Sequence, residues 1–280
     1  MVNALSPLLT LNDSRTLPQL GLGVYKTTDD ESAEAVSFAL QQGYRLVDTA
    51  AMYLNEKGVG EGLRRSGLPR ADVTLATKVW FTDNGFDSTL RSFDESLERL
   101  GTDYVDLYLI HWPAPANDLY VETWRALVRL REEGRARSIG VANFHPKHVT
   151  RLIDETGEVP SVNQVELHPW LPQAALRQFD GELGIVTQAW SPLARGHVFD
   201  ASHGGDALDA VARKHGKSPA QVVIRWHLQL GNAVIPKSVT PSRIRENIDV
   251  FDFALDADDL AAIAALETGE RTGVDPDDRN

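Results

Sequence analysis

Three observations predict an α/β fold, a (β/α)8 TIM barrel. Short apolar runs alternate with longer amphipathic ones, eight of the short runs can be counted, and nearly all of them end in a polar or aromatic residue. Alternation of this kind gives a parallel sheet covered by helices. A count of eight favours closure of that sheet into a barrel. In a barrel the strand ends converge on one face, which accounts for the third observation.

Taken in order, the chain opens with a small hairpin: Leu8 to Leu11, a turn at Asn12-Asp13-Ser14, then Thr16-Leu17. The eight runs follow: Gln19–Gly23, Arg45–Asp48, Val73–Val79, Tyr104–His111, Arg137–Asn143, Val162–Glu166, Ile185–Trp190 and Asn232–Lys237. Several are apolar on consecutive residues, as in Val105 to Ile110, which suits strands buried on both faces. The first helix begins at a capping box, Thr28 with Glu31, and places Ala33, Val36 and Leu40 on one face before Gly43. The same spacing recurs at Leu90, Phe93, Leu97 and Leu100 before Gly101, and at Val121, Trp124, Leu127 and Val128 before Gly134. It recurs again at Val222, Val223, Trp226 and Leu230 before Gly231. No repeat or Pro/Ser-rich linker marks a second unit, so residues 1–280 are expected to form a single domain. Pro192 to Asp206 lacks periodicity and reads as a loop. Thr268 to Asn280 is polar and rich in Gly, Pro and Asp, and is expected to lie over the surface.

Composition narrows the class. The 280 residues are 42% hydrophobic and 24% charged, as in ordinary globular proteins. There is no cysteine, which removes disulfides, thiolate metal sites and cysteine nucleophiles. A net charge of −12 argues against a nucleic-acid or anionic-membrane surface, while leaving room for a small anion held by local cations. Met1 to Leu20 has no basic leader region, and no apolar stretch is long enough to span a bilayer. The expectation is a cytoplasmic monomer acting on a small molecule, without nucleic-acid or membrane partners.

The polar strand ends carry the chemistry. Asp48, Lys78, His111, Asn143, Gln164, Glu166, Trp190, Lys237 and Ser238 all stand at or beside the ends of apolar runs. Lys78 sits in an apolar run with Asp48 as its available counter-ion, because a buried unpaired ammonium is costly. That pair reads equally as structural support. With Tyr53 nearby it gains a use, since a cation beside a phenol lowers the phenol pKa and makes it a proton donor. His111 reads alone as a hydrogen-bonded core residue, and beside Lys78 and Tyr53 as a group that polarises a carbonyl. Farther on, Thr240 is a good N-cap with Pro241 at the first helical position, and Lys237 and Arg243 flank that helix start. This is either an ordinary capped helix or a phosphate site.

Other features are set aside. Gly58, Gly60 and Gly62 fail the dinucleotide G-x-G-x-x-G pattern, because Leu63 and Arg65 stand where a third glycine is needed. His145 and His148 are helically spaced, but no carboxylate joins them in a known metal pattern, and they read as surface histidines, so no metal is expected. Arg131 to Arg137 reads as a solvated helix end.

Together the segments LPQLGLGVYK, DTAAMYLNEKGVG, TKVW, LYLIHWP, SIGVANF, VNQVELHP, AWSPL and IPKSVTPSRIRENI, in that order, resemble the aldo-keto reductase family over nearly the whole chain. The resemblance is to its bacterial branch similar to 2,5-diketo-D-gluconic acid reductase. It implies NADPH-dependent reduction of aldehydes and ketones to alcohols. It implies a catalytic tetrad of Asp48, Tyr53, Lys78 and His111, with Tyr53 as general acid. It places Asn143 and Gln164 on the nicotinamide carboxamide, Trp190 against its ring, and Ser191 and Leu193 along the pyrophosphate. Lys237, Ser238, Val239, Arg243, Glu246 and Asn247 would hold the adenosine 2′-phosphate end. Tyr25, Trp80 and Trp112 would wall the substrate pocket. Two positions depart from much of the family: Ala142 stands where serine often precedes the asparagine, and Trp190 stands where many eukaryotic members have tyrosine.

Two other readings compete: a non-catalytic NADPH-binding barrel serving as sensor or partner subunit, and a barrel enzyme whose Lys78 forms a Schiff base with substrate.

Overall fold

The computed structural model describes residues 6–201 and 204–279. It opens with an antiparallel hairpin, β1 (Leu8–Thr10) and β2 (Thr16–Pro18), paired Leu9 to Leu17. Eight parallel strands follow: β3 (Leu22–Gly23), β4 (Leu46–Asp48), β5 (Thr74–Val79), β6 (Val105–Ile110), β7 (Ala136–Ala142), β8 (Val162–Glu166), β9 (Val186–Trp190) and β10 (Ala233–Val234). They are hydrogen-bonded in sequence order from β3 to β10. Bridges between Leu20 and Val234 and between Gly23 and Lys237 join the two edges, so the sheet closes.

The helices are α1 (Asp29–Gln41), α2 (Glu56–Ser66), α3 (Phe86–Leu100), α4 (Tyr120–Glu132), α5 (Pro146–Thr156), α6 (Ala174–Glu182), α7 (Gly205–His215), α8 (Pro219–Gln229), α9 (Pro241–Ile248) and α10 (Ala257–Ala264). The Thr28/Glu31 capping box starts α1 as the spacing predicts, with three acidic residues in the first turn complementing the helix dipole. The first and last barrel strands are shorter than predicted. Pro236 has no N–H to donate, so β10 stops as a ladder at Val234 and only a bridge continues it. The predicted loop after Pro192 contains a kinked run of 3-10 turns over Ala194–Phe199, broken where Arg195 and Gly196 take φ of 59° and 96°. Part of that loop, residues 202–203, lies outside the described residues, and α7 begins at Gly205.

Strand alternation sorts the core into two layers. Val47, Leu75, Tyr108, Ile110 and Val141 face outward and pack under the helices. Leu46, Ala76, Leu107, Leu109, Ala142 and Val162 face inward, where Leu11 and Leu17 of the hairpin region join them. Two residues farther along the same strands come Asp48 after Leu46, Lys78 after Ala76, His111 after Leu109 and Gln164 after Val162. A period of two keeps each pair on one face. The barrel interior is thus apolar at the hairpin end and polar at the other. The three glycines rejected as a nucleotide loop serve packing: a Cβ on Gly58 or Gly60 would come within 2.1 Å of Asp29 O or Leu100 O. Among the described residues, no helix is long and apolar enough to cross a membrane.

Candidate active site

At the polar end, Lys78 Nζ donates to Asp48 Oδ1 at 2.6 Å and to Thr49 O at 2.8 Å. Gln164 Nε2 donates to the other carboxylate oxygen, Asp48 Oδ2, at 2.8 Å, and to Gln188 Oε1 at 2.7 Å. Both acceptor oxygens of Asp48 are therefore engaged. Burial lowers the Lys78 pKa and the adjacent aspartate opposes that shift. With its protons committed to Asp48 and Thr49, the buried Lys78 is ill placed to attack a substrate carbonyl, which disfavours the Schiff-base reading.

Tyr53 ends a short 3-10 turn, Ala51–Tyr53, set on the loop after β4. Its ring lies 5.2 Å from Lys78 Nζ, 4.9 Å from the Tyr25 ring and 5.6 Å from the His111 ring. The phenol pKa is pushed well above its ordinary value, by burial first and then by Asp48 and Tyr25. This is opposite to the direction expected from Lys78 alone. The lysine charge is spent on Asp48, so burial wins and Tyr53 keeps its proton. His111 is pushed well below its ordinary value by burial, with Lys78 and Arg279 adding to the shift, and is a neutral imidazole. Its buried Nδ1 makes no hydrogen bond among the described residues. The cluster therefore presents a protonated phenol beside a neutral imidazole.

Around it, Trp80 meets the His111 ring edge-on at 5.0 Å, Trp112 is buried, and Tyr25 is 43% exposed at the mouth. Asn143 donates Nδ2 to His111 O at 2.9 Å and accepts from Trp190 Nε1 at 2.8 Å. Asn143 and Ser191, each just past a strand, take φ of 62° and 51°. Left-handed backbone at non-glycine residues is uncommon and concentrates at binding sites.

The second predicted cluster lies at and around the start of α9. Thr240 occupies the N-cap of α9 and Pro241 its first position, but the Thr240 side chain makes no capping bond. Ser238 Oγ instead accepts from Thr240 N at 3.2 Å. Lys237 and Arg243 are exposed and form no ion pair among the described residues, whereas Ser238 and Asn247 are buried. Glu246 accepts from Ser218 Oγ, and its carbonyl accepts from Gln221 Nε2 at 3.1 Å. Val239 and Leu193 are half-buried against the outer core. Free cations at a helix start with no side-chain cap suit an anion.

The tail brings in residues that the sequence reading left out. Glu166 Oε1 accepts from Thr272 N and Thr272 Oγ1, both at 2.6 Å, and Gly273 N lies 3.1 Å from Glu166 Oε2. Burial alone would raise the Glu166 pKa, but hydrogen bonds from His168 and Thr272 hold it below its ordinary value. A Cβ on Gly273 would sit 2.7 Å from the Trp190 indole, so the tail is pressed against that ring. Two tail carboxylates also correct the reading of the histidine pair. His145 Nε2 is 3.0 Å from Asp275, and His148, which is buried and not a surface residue, is 3.1 Å from Asp277. The same carboxylates also pair with Arg271 and Lys147, and these contacts fasten the tail to α5. The sequence signal for this clasp was present as Glu166-x-His168 and Asp275-x-Asp277, but no periodicity linked the two. The basic stretch after α4 is paired as well, Arg131 with Glu158, Arg135 with Asp94 and Arg137 with Asp106.

With this geometry in view, comparison with known proteins is decisive for the family. The Aldo/keto reductase family profile matches residues 18–268. An aldo-keto reductase of Mycolicibacterium smegmatis is 55% identical over 272 residues, covering 97% of this chain and 98% of that protein. The Escherichia coli methylglyoxal reductase DkgA is 49% identical over 271 residues, covering 96% of each. Among solved structures, an aldo/keto reductase from Brucella melitensis superposes with a TM-score of 0.89 at 52% identity, over 94% of this chain and all (100%) of that one. A variant of Gox0644 in complex with NADPH superposes with a TM-score of 0.92 at 49% identity, over 99% and 100% of the two chains. The chain belongs to the aldo/keto reductase family.

Proposed function

We propose that this protein reduces aldehydes and ketones to alcohols with NADPH, Tyr53 protonating the carbonyl oxygen. The observation that carries the reading is the contact of a protonated phenol, Tyr53, with a neutral imidazole, His111, above the Lys78–Asp48 pair. NADPH, when bound, supplies the hydride. As negative charge grows on the carbonyl oxygen, the Tyr53 hydroxyl delivers its proton to it. A nascent alkoxide is a stronger base than a buried phenolate, so a raised phenol pKa does not block the transfer. It ensures that the proton is present beforehand. His111 donates a hydrogen bond to the same oxygen and fixes its position. Lys78 stabilises the phenolate as it forms, while Asp48 and Gln164 hold the lysine in place.

The chain's own features fit the cofactor. Trp190 offers an aromatic face beside Asn143 and Gln164, the two amides assigned to the carboxamide. Ser191 and Leu193 lie on the loop next to it, assigned to the pyrophosphate. Lys237 and Arg243, with Ser238, Val239, Glu246 and Asn247 around α9, receive the 2′-phosphate. Tyr25, Trp80 and Trp112 form the substrate wall. The competing sensor reading accounts for the α9 cluster but gives no reason for the Tyr53–His111 contact.

Methylglyoxal is the first substrate to try, given the 49% identical relative bearing that name. Loss of NADPH absorbance with methylglyoxal tests the activity, and Tyr53→Phe tests the acid. The variant is expected to bind NADPH as wild type does and to lose turnover, because the hydroxyl is needed only once charge develops. Retention of substantial turnover by Tyr53→Phe would remove Tyr53 from the proton-donor role. Absence of turnover in the wild type with any aldehyde would favour the sensor.

A further inference from the structure

Gln188 stands in the middle of β9, directly opposite Gln164 of β8 in the strand register. Its side chain is fully buried, and its Oε1 accepts from Gln164 Nε2 at 2.7 Å. Its own Nε2 is buried without a hydrogen bond. The next positions in the register are Ala142 beyond Gln164 and Ala233 on the other side, and neither side chain has a polar atom to offer. Turning the Gln188 amide over would not help, because its NH2 would then face the NH2 of Gln164. An apolar side chain would leave one N–H of Gln164 unsatisfied in place of two on Gln188. Stability alone therefore does not favour glutamine here.

What the glutamine changes is the amide beside it. Gln164 gives one N–H to Asp48 Oδ2 at 2.8 Å and the other to Gln188, so it has no donor left to offer. Turning it over would aim its oxygen at the Asp48 carboxylate. What remains is Oε1, an acceptor that takes no hydrogen bond among the described residues. Asn143 is committed in the opposite sense. Its Nδ2 donates to His111 O at 2.9 Å and its Oδ1 accepts from Trp190 Nε1 at 2.8 Å, which leaves one N–H to offer. One donor and one acceptor match the C=O and NH2 of a primary carboxamide, in one orientation only. Ala142 brings no hydroxyl to this place, so the two amides carry the recognition between them.

We propose that Gln188 is a positioning residue for the nicotinamide carboxamide: by accepting the second N–H of Gln164, it holds that amide with its oxygen toward the cofactor. This rests on the assignment of Asn143 and Gln164 to the carboxamide proposed above. Without the acceptor on Gln188, the Gln164 amide is held by Asp48 alone. It can then swing its released N–H toward the cofactor NH2, where donor meets donor.

Calorimetric titrations compare three probes: NADPH, its 3-acetylpyridine analogue, and adenosine 2′,5′-bisphosphate. The analogue has a methyl group in place of the carboxamide NH2, so it keeps the oxygen for Asn143 and gives Gln164 nothing to accept. The bisphosphate has no nicotinamide and reports the adenosine end alone. Wild type is expected to bind NADPH about tenfold more tightly than the analogue. Gln188→Leu should weaken NADPH by about tenfold, leave the other two probes nearly unchanged, and so remove the preference. Gln188→Met, closer in shape, takes its place should Gln188→Leu fail to bind the bisphosphate. In a Gln164→Leu background the substitution of Gln188 should have no further effect on NADPH, because it acts through Gln164. A Gln188 variant that keeps the preference, or that weakens all three probes alike, would overturn the proposal. Losses that add in the double variant would do the same. A wild type that binds NADPH and the analogue equally would overturn it while leaving the reductase reading intact. A wild type that binds none of the three sinks the reductase reading, and this proposal with it.

Discussion

Lys78 Nζ lies 2.6 Å from Asp48 Oδ1, with the lysine side chain 0% and the aspartate side chain 2% exposed. The pair crosses from β4 to β5, adjacent strands whose register puts Asp48 opposite Ala76, so Lys78 reaches back over one interior position to meet it. Neither charge could be buried alone, and together they bring a cation under Tyr53 that desolvation would otherwise exclude. A protein that needed only stability would gain as much from two apolar side chains at these positions. The pair is better understood as the means of keeping a lysine charged near a phenol.

That interpretation makes a prediction about two substitutions together. Lys78→Met should lose carbonyl reduction and should also destabilise the protein by about 3–5 kcal/mol, because it leaves Asp48 buried without its partner. Asp48→Asn/Lys78→Met should recover most of that stability, since no unpaired charge remains, while turnover stays near zero. The urea midpoint and aldehyde turnover measured on the same preparations check both halves. Stability that stays lost in the double variant would refute the pairing, and recovered turnover would refute the role of the lysine charge.

Much of the site is legible in the sequence because the barrel is a periodic object. Asp48 and His111 end apolar runs and Lys78 stands one residue before the end of its own, and the two-residue alternation along a strand decides which of them look inward. The α9 cluster is legible for a different reason: Pro241 after Thr240 is a local helix-start signal. The tail has neither kind of signal. Thr272 meets Glu166 across 106 residues of sequence, and such a contact is set by where the chain returns in space. The same limit explains His148: its spacing from His145 suggests one helical face, but its burial comes from Tyr120, Phe144 and the returning tail's Asp277, which local spacing does not reveal. The direction of the Tyr53 shift was equally out of reach, since it depends first on how deeply the folded chain buries the phenol.

The tail's pressure on Trp190 can be measured through cofactor binding. Trp190→Ala should weaken NADPH severalfold to about tenfold and reduce the quench of protein fluorescence on binding, since an aromatic stack contributes about 0.5–1.5 kcal/mol beyond area burial. Gly273→Ala puts a methyl group 2.7 Å from the indole and 2.9 Å from Glu166 Oε2, so either the tail lifts or the indole turns. Its expected effect is a smaller loss of NADPH affinity with the quench partly retained. Gly273→Ala binding NADPH as tightly as wild type would show that the tail can move away without disturbing the ring.

Arg243 is expected to distinguish the two nicotinamide cofactors. It is exposed at the start of α9 and has no ion pair among the described residues, so its guanidinium is available to a 2′-phosphate. Arg243→Ala should weaken NADPH by roughly 1.5–3 kcal/mol, about tenfold or more, and leave NADH nearly unchanged. Titrations with both cofactors at one ionic strength are required, because charge contacts at the surface weaken with salt. An equal loss for NADPH and NADH would mean that Arg243 does not read the phosphate.

Asp180, on α6 away from the tetrad, gives a prediction in pH. Burial raises its pKa to about 7, although Thr187 Oγ1 donates to it at 2.9 Å and Asn163 Nδ2 lies 3.4 Å away. An unfolded aspartate titrates near 3.9. Between those two values the folded protein binds more protons at this site than the unfolded chain, so the contribution of Asp180 to stability falls as pH rises. The cost is absent below the unfolded pKa and complete above about pH 7. Asp180→Asn removes the titration, and the buried Asn163 Oδ1, which has no hydrogen bond, is a nearby acceptor for the new amide. The variant should therefore gain on wild type steadily as pH is raised, by on the order of 1–4 kcal/mol in all. Urea midpoints taken across that range check this, and profiles that run parallel would show that Asp180 is ionised in the folded protein throughout.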